Sequence, residues 1–215
     1  MGKKLSPEEI QKRKTPIEGK SLRYLPQNSF SFFIPPDENG SLGTGKSRPR
    51  VVTRSGRTFS YYQEYYENFR NHADAYIAKA IEEYKAKGFL FPVNLERMNG
   101  EIVYDKKGLP VILPTICRLR LCATGKKLNG KKIAWIKQSS DTDNIFGAYM
   151  DLPHFANNHY DYKEGKIPER VLYGDDLKNI RRQSTDYISE ATLQDAPLGY
   201  GAYISVYVFK PVIIA

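Results

Sequence analysis

The 215-residue chain has only two cysteines, Cys117 and Cys122, and just one tryptophan, three histidines and three methionines. Two cysteines exclude a disulfide-framed scaffold, and a zinc site would need two further soft ligands at suitable spacing, which the sequence does not offer. Five residues apart on one expected strand, the thiols fall on opposite faces and are expected as reduced core residues of a cytoplasmic protein. No run of 18 apolar residues occurs, so no membrane-spanning helix is expected. The opening stretch MGKKLSPEEIQKRK lacks the apolar segment of a secretory signal, and none is expected. Acidic residues are the minority, 24 Asp and Glu against 33 Lys and Arg, a formal net charge of +9.

That excess is uneven. Residues 1–57 hold 12 Lys and Arg against 5 Asp and Glu, net +7, which leaves +2 for the other 158. Such a balance points to a polyanionic partner. Hydrophobic residues (40%) and aromatics (13%, with 16 tyrosines) are plentiful, so the chain can pack a core rather than remain disordered. Its length suits one domain with elaborations, or one domain and an arm.

Residues 1–27 are polar and basic, an arm that can hold a short helix capped at Ser6 with Pro7 in its first turn. NSFSFFIP (28–35) reads as a strand and PDENGSLGTG as a turn region. KSRPRVV is basic and extended, because Pro49 biases Arg48 away from helix. TRSGRTFSY reads as a tight turn between short extended pieces. The longest element is a helix over Tyr61–Lys87, with Ser60 as cap and Gly88 as stop. Its core stripe is Tyr62, Tyr65, Phe69, Ala73, Ile77, Ala80 and Tyr84. ICRLRLC (116–122) alternates as a strand with Arg118 and Arg120 on one face, suited to lining DNA or to pairing with acids. Asn129-Gly130 signals a hairpin leading into a strand at 132–136. A short helix is expected from Asn144, a long polar loop over 154–170, a brief strand at RVLYG (170–174), and a strong strand at GAYISVYVF (201–209). The pattern is α+β: a mixed β-sheet flanked by one long helix and one or more short ones.

Acids gather in KQSSDTDNIFGAYMD (137–151), just past an expected strand end, and again at Asp175-Asp176. Asp141 and Asp143, two apart in an extended segment, project to one side; Asp151, two helical turns further, returns towards that face. Carboxylates a few ångströms apart cannot all ionise unaided, and a hard divalent cation resolves the repulsion. Magnesium takes oxygen ligands at about 2.1 Å and leaves room for water and phosphate oxygens. Two such ions about 4 Å apart activate a water and stabilise the leaving oxygen of a phosphodiester. The same residues also read as capping and turn chemistry. His154 and His159 at His-x4-His spacing read first as ordinary loop residues, since magnesium prefers oxygen. Trp135 and Phe146 read as core.

In order along the chain, FFIPP followed by GKSRPRVVTRSGRTF, the helix YYQEYYENFRNHADAYIAKAI, DTDN, VLYGDDLKNI and GAYISVYVF resemble the RusA-type Holliday junction resolvases. The resemblance covers roughly residues 28–209, with gaps. It implies a RusA-like nuclease domain over 28–215, with insertions near 89–113 and 152–170 behind the arm 1–27. It implies a phage- or prophage-type enzyme of bacterial cytoplasm that resolves four-way DNA junctions as a homodimer. Its paired nicks leave 5′-phosphate and 3′-hydroxyl ends, with Mg2+ as cofactor and Mn2+ as substitute. Carried over by position, Asp141, Asp143 and Asp176 are the catalytic metal ligands and Asp175 and Asp151 supporting acids. Lys46, Arg48, Arg50, Arg54 and Arg57 form the DNA-binding loop, suited to phosphates by charge and by the guanidinium fork. Where the family has a lysine four residues after the second aspartate of its Asp-x-Asp-Asn motif, this chain has Gly147; Lys137, Lys163 or a basic residue of the arm could substitute. The alternatives are a nuclease of broader branched-DNA range, or a non-catalytic DNA-binding phage protein on the same fold.

Overall fold

Burial alternates along the strands and locates the core. The structure is a computed structural model describing residues 20–43, 50–55, 57–61, 64–128, 131–134, 142–156, 169–173 and 180–213. The chain passes through β1 (Lys20–Tyr24), a short 3-10 turn (Pro26–Asn28), β2 (Phe30–Ile34), β3 (Arg50–Arg54), β4 (Arg57–Tyr61) and α1 (Glu64–Lys85). It continues through β5 (Arg97–Met98), β6 (Glu101–Ile102), β7 (Thr115–Cys122), β8 (Thr124–Leu128), β9 (Lys131–Ala134), α2 (Thr142–Met150), β10 (Ile180–Ile188) and β11 (Gly201–Ile213).

β11 is the hub of a mixed five-stranded sheet. It runs antiparallel to β7 along one edge (Ala202↔Leu121) and to β2 and β1 along the other (Ala202↔Ile34, Tyr24↔Phe209). β10 lies parallel to β7 on its outer edge (Ser184↔Arg118). A parallel neighbour requires a crossover, and α2 lies within it. Ala202, Ile204, Val206 and Val208 of β11 and Cys117, Leu119 and Leu121 of β7 form one buried face. They join Phe69, Ala73 and Ile77 of α1 and Ile145 and Tyr149 of α2 in a single apolar core. Among the described residues the architecture is therefore α+β, with a mixed sheet and two helices. Among the described residues no helix is long and apolar enough to cross a membrane.

Cys117 lies in that core while Cys122 packs with Ala191 and Ala196 in a second cluster, so the two thiols do fall on opposite faces. Burial pushes the Cys117 thiol up to about 12, which leaves it protonated and inert at neutral pH.

Several elements depart from the sequence-based expectations. α1 starts at Glu64 rather than Tyr61, because the chain up to Tyr61 pairs as β4; Ser60 sits opposite Val51 in that ribbon instead of capping the helix. The buried stripe runs through Tyr66, Phe69, Ala73, Ile77, Ala80 and Ile81, and Tyr65 is exposed. The basic N-terminal stretch contributes β1 to the sheet edge. α2 begins at Thr142, which puts Asp143 inside its first turn rather than ahead of it. RVLYG is not a strand over its described residues 170–173; Val171 and Leu172 are buried against the segment at His154–Phe155 by two backbone hydrogen bonds. β10 was not expected at all. Asn129-Gly130 lies outside the described residues, but β8 and β9 pair on either side of it, Leu128 opposite Lys131.

Gly88 ends α1 by a Schellman arrangement. Its N–H donates to Lys85 O, the Phe89 N–H donates to Tyr84 O, and the Phe89 and Tyr84 rings meet edge to face at 4.9 Å. Gly88 has φ +88°, and a Cβ there would meet nothing within 4 Å. Gly88→Ala is therefore expected to cost about 1 kcal/mol of backbone strain alone. A thermal melt should show the midpoint falling by about 2–4 °C.

Candidate metal centre and nucleic-acid interface

α2 is held by its apolar side. Ile145, Phe146, Ala148 and Tyr149 are buried while Asn144 is exposed. The Tyr149 hydroxyl donates to Leu42 O at 2.5 Å, and its ring meets Phe69 edge to face at 5.1 Å. Burial in this apolar setting pushes the Tyr149 phenol far up, so it stays a neutral donor. Gly43 completes the seat: at φ +144°, a Cβ there would stand 3.4 Å from Phe69 and from Tyr149 and 3.5 Å from Ile145. The backbone that leads into the basic loop is thus fastened against α2.

Of the acids, Asp143 lies in the first turn of α2. Asp141, Asp175 and Asp176 lie outside the described residues. Asp151 follows the helix, its N–H donating to Gly147 O. Eight helical residues at 1.5 Å each place positions 143 and 151 about 12 Å apart along the axis. β9 pairs with β8, and over its described residues 170–173 the second expected strand does not form. Among the described residues no three His, Cys, Asp or Glu groups assemble to hold a metal ion. The expected donors are all carboxylate oxygens, a set that fits a hard cation such as magnesium and not zinc.

Lys46 and Arg48 also lie outside the described residues, while Arg50, Arg54 and Arg57 fall on the β3–β4 ribbon. Its register pairs Arg50 with Tyr61, Val52 with Phe59 and Arg54 with Arg57. Alternation therefore puts positions 50, 54 and 57 on one face, with 59 and 61. Thr53 and Thr58 share the other, their hydroxyls 3.5 Å apart.

Arg118 and Arg120 are engaged within the chain. Arg118 donates through Nε and Nη2 to Asp186 Oδ2 at 2.8 and 2.6 Å, and the Arg120 guanidinium lies 5.0 Å from the Tyr203 ring centre. His154 is tied to α1, its N–H and Nδ1 each 2.8 Å from an oxygen of Asp74. His159 and Trp135 lie outside the described residues, and Phe146 is core as expected.

The residue most removed from sequence reasoning is Asn94. Fully buried, its Oδ1 accepts the Tyr173 N–H at 2.7 Å and its Nδ2 donates to Tyr173 O at 3.1 Å. One amide thereby holds both backbone groups of a residue that stands two before Asp175. The only signal in the sequence is a lone polar residue inside the apolar run FPVNL. No family model matches the chain, and no curated protein matches it.

Proposed function

We propose that the chain is a magnesium-dependent endodeoxyribonuclease that cuts branched DNA, with four-way junctions as its preferred substrate. The observation that carries the DNA-directed part is the β3–β4 ribbon, which sets three arginine positions on one face of a chain with formal charge +9. A two-stranded ribbon suits a major groove, and arginine forks suit phosphates. The catalytic part is supported by the ordered RusA-type motifs, with Asp141, Asp143 and Asp176 to hold the metal and Asp175 in support. Magnesium bound there supplies a water-derived nucleophile and charge stabilisation for an in-line displacement. The chain's own part is to anchor α2, so that Asp143 is presented on a fixed first turn, and to offer arginines to the backbone. A homodimer suits the substrate, because a two-fold junction offers two equivalent scissile phosphates.

The test is cleavage of a labelled four-way junction in magnesium beside matched duplex, flap, single strand and a chelator control. Paired symmetric nicks confined to the junction support the reading; equal cutting of flaps makes the chain a broader branched-DNA nuclease. A second reading, a DNA-binding protein without catalysis, is favoured by Gly147. A Cβ there would meet nothing within 4 Å, so packing does not demand the glycine in place of the family's lysine. Tight junction binding with no cut in magnesium or manganese would establish that reading instead.

A further inference from the structure

The segment between α1 and β7 builds a cavity of about 390 Å3 against Tyr173, its other lining being Asp105, Leu109, Pro110, Val111 and Ile112. That size and mostly apolar lining are those of a small-ligand pocket. Its walls are braced. Val111 N–H donates to Val103 O and Glu96 N–H to Val111 O, and isolated bridges join Leu95 to Ile112 and Tyr104 to Pro110. The Arg97 guanidinium donates to the carbonyls of Phe91 and Pro92 at 2.9 Å each. Across the cavity, Asn94 clamps the Tyr173 backbone from both sides.

The rim has a definite chemistry. The Asp105 carboxylate accepts the N–H groups of Lys107 and Leu109 at 2.8 and 2.9 Å, so it serves the turn. That turn carries two exposed lysines, Lys106 and Lys107. Beside them Tyr104 and Leu109 stand 55% and 58% exposed, apolar surface that a ligand would cover. Tyr173 and aliphatic walls, with two exposed lysines on the turn that follows Asp105, match a base joined to a phosphate.

We infer that this pocket takes an unpaired nucleotide of DNA, the base against Tyr173 and the aliphatic wall and the phosphate at Lys106 and Lys107. A base within a duplex cannot enter such a cavity, so the pocket selects strands opened at a branch point. The inference rests on the DNA-directed reading above and is independent of catalysis.

The test is fluorescence anisotropy of a short labelled oligothymidylate and its abasic counterpart with the full chain in chelator, where no cutting intervenes. The intact oligonucleotide is expected to bind about tenfold or more tightly than the abasic one, the usual size of a base–aromatic stack. Tyr173→Leu removes that difference and Tyr173→Phe keeps it. Lys106→Ala with Lys107→Ala weakens both ligands and reduces the log–log salt slope by about 1.4. Equal binding of the two oligonucleotides, no binding of either, or a Tyr173→Leu protein that still discriminates would overturn the inference. The first comparison needs no variant, so a folding defect cannot obscure it. If the pocket fails while junctions are still cut, the nuclease reading stands; if junctions are neither bound nor cut while bases are still discriminated, only that reading falls.

Discussion

Asp143→Asn is expected to cut four-way junctions more than about a hundredfold more slowly than the parent while binding them as well or better. Substituting groups that merely support metal ligands typically lowers activity by about 10- to 100-fold, and a ligand itself contributes more. The exchange is nearly isosteric. Its cost to the fold is the loss of an acid in the first turn of α2, about 0.3–1 kcal/mol, because a negative charge there interacts favourably with the helix dipole. Removing that charge also relieves repulsion of phosphates, hence the undiminished affinity. Single-turnover cleavage in magnesium, with gel-shift binding in chelator and a thermal melt, separates these effects. A variant that cuts at the parental rate would remove Asp143 from the metal site.

The second large effect is expected at Asn94. Asn94→Ala removes the partner of the N–H and of the carbonyl of Tyr173 in a half-buried setting, where a fully buried unpaired group would cost about 1–3 kcal/mol. A loss of about 3 kcal/mol lowers the melting midpoint by roughly 10 °C for a chain of this size. Asn94→Asp should not rescue it, since a carboxylate keeps the acceptor for Tyr173 N–H but presents no donor to Tyr173 O and buries a charge. Chemical unfolding of the two variants measures both. A loss under about 1 kcal/mol for Asn94→Ala would mean that the Tyr173 backbone finds other partners.

Legibility followed one-sided burial. β7, β11 and most of α1 read correctly because each buries one face, and the alternation of Cys117, Leu119 and Leu121 with Ile116, Arg118 and Arg120 is visible in the sequence. β10 was invisible for the same reason: an edge strand reading IRRQSTDYI has no apolar alternation, and its Asp186 pairs with Arg118. β1, KSLRY, is another edge strand that looks like polar chain. The apolar pair in RVLYG marked burial correctly but not pairing, since consecutive buried residues do not distinguish strand from packed coil. At the start of α1, TFSYYQEYY suits either state, and the ribbon took Tyr61. In the candidate site, the aspartate spacing and the arginine cluster are properties of the sequence itself, whereas Asn94–Tyr173 and Asp74–His154 join residues 79 and 80 apart and depend on tertiary structure.

β11 imposes an order in time. Ser31 of β2 meets Ser205 of β11 across 174 residues, and β7 and β1 share the same central partner. At synthesis rates of about 5–20 residues per second, β2 waits roughly 10–35 s for its neighbour. Until then β7 has only β10 to pair with, and the apolar faces of β2, β7 and α1 exist without the strand that joins them. The sheet is thus completed only once β11 has been made, and its assembly is dominated by distant contacts, a slow regime in which unpaired strand edges invite aggregation. Lower expression temperature or a holding chaperone should raise soluble yield more than any change to the finished surface.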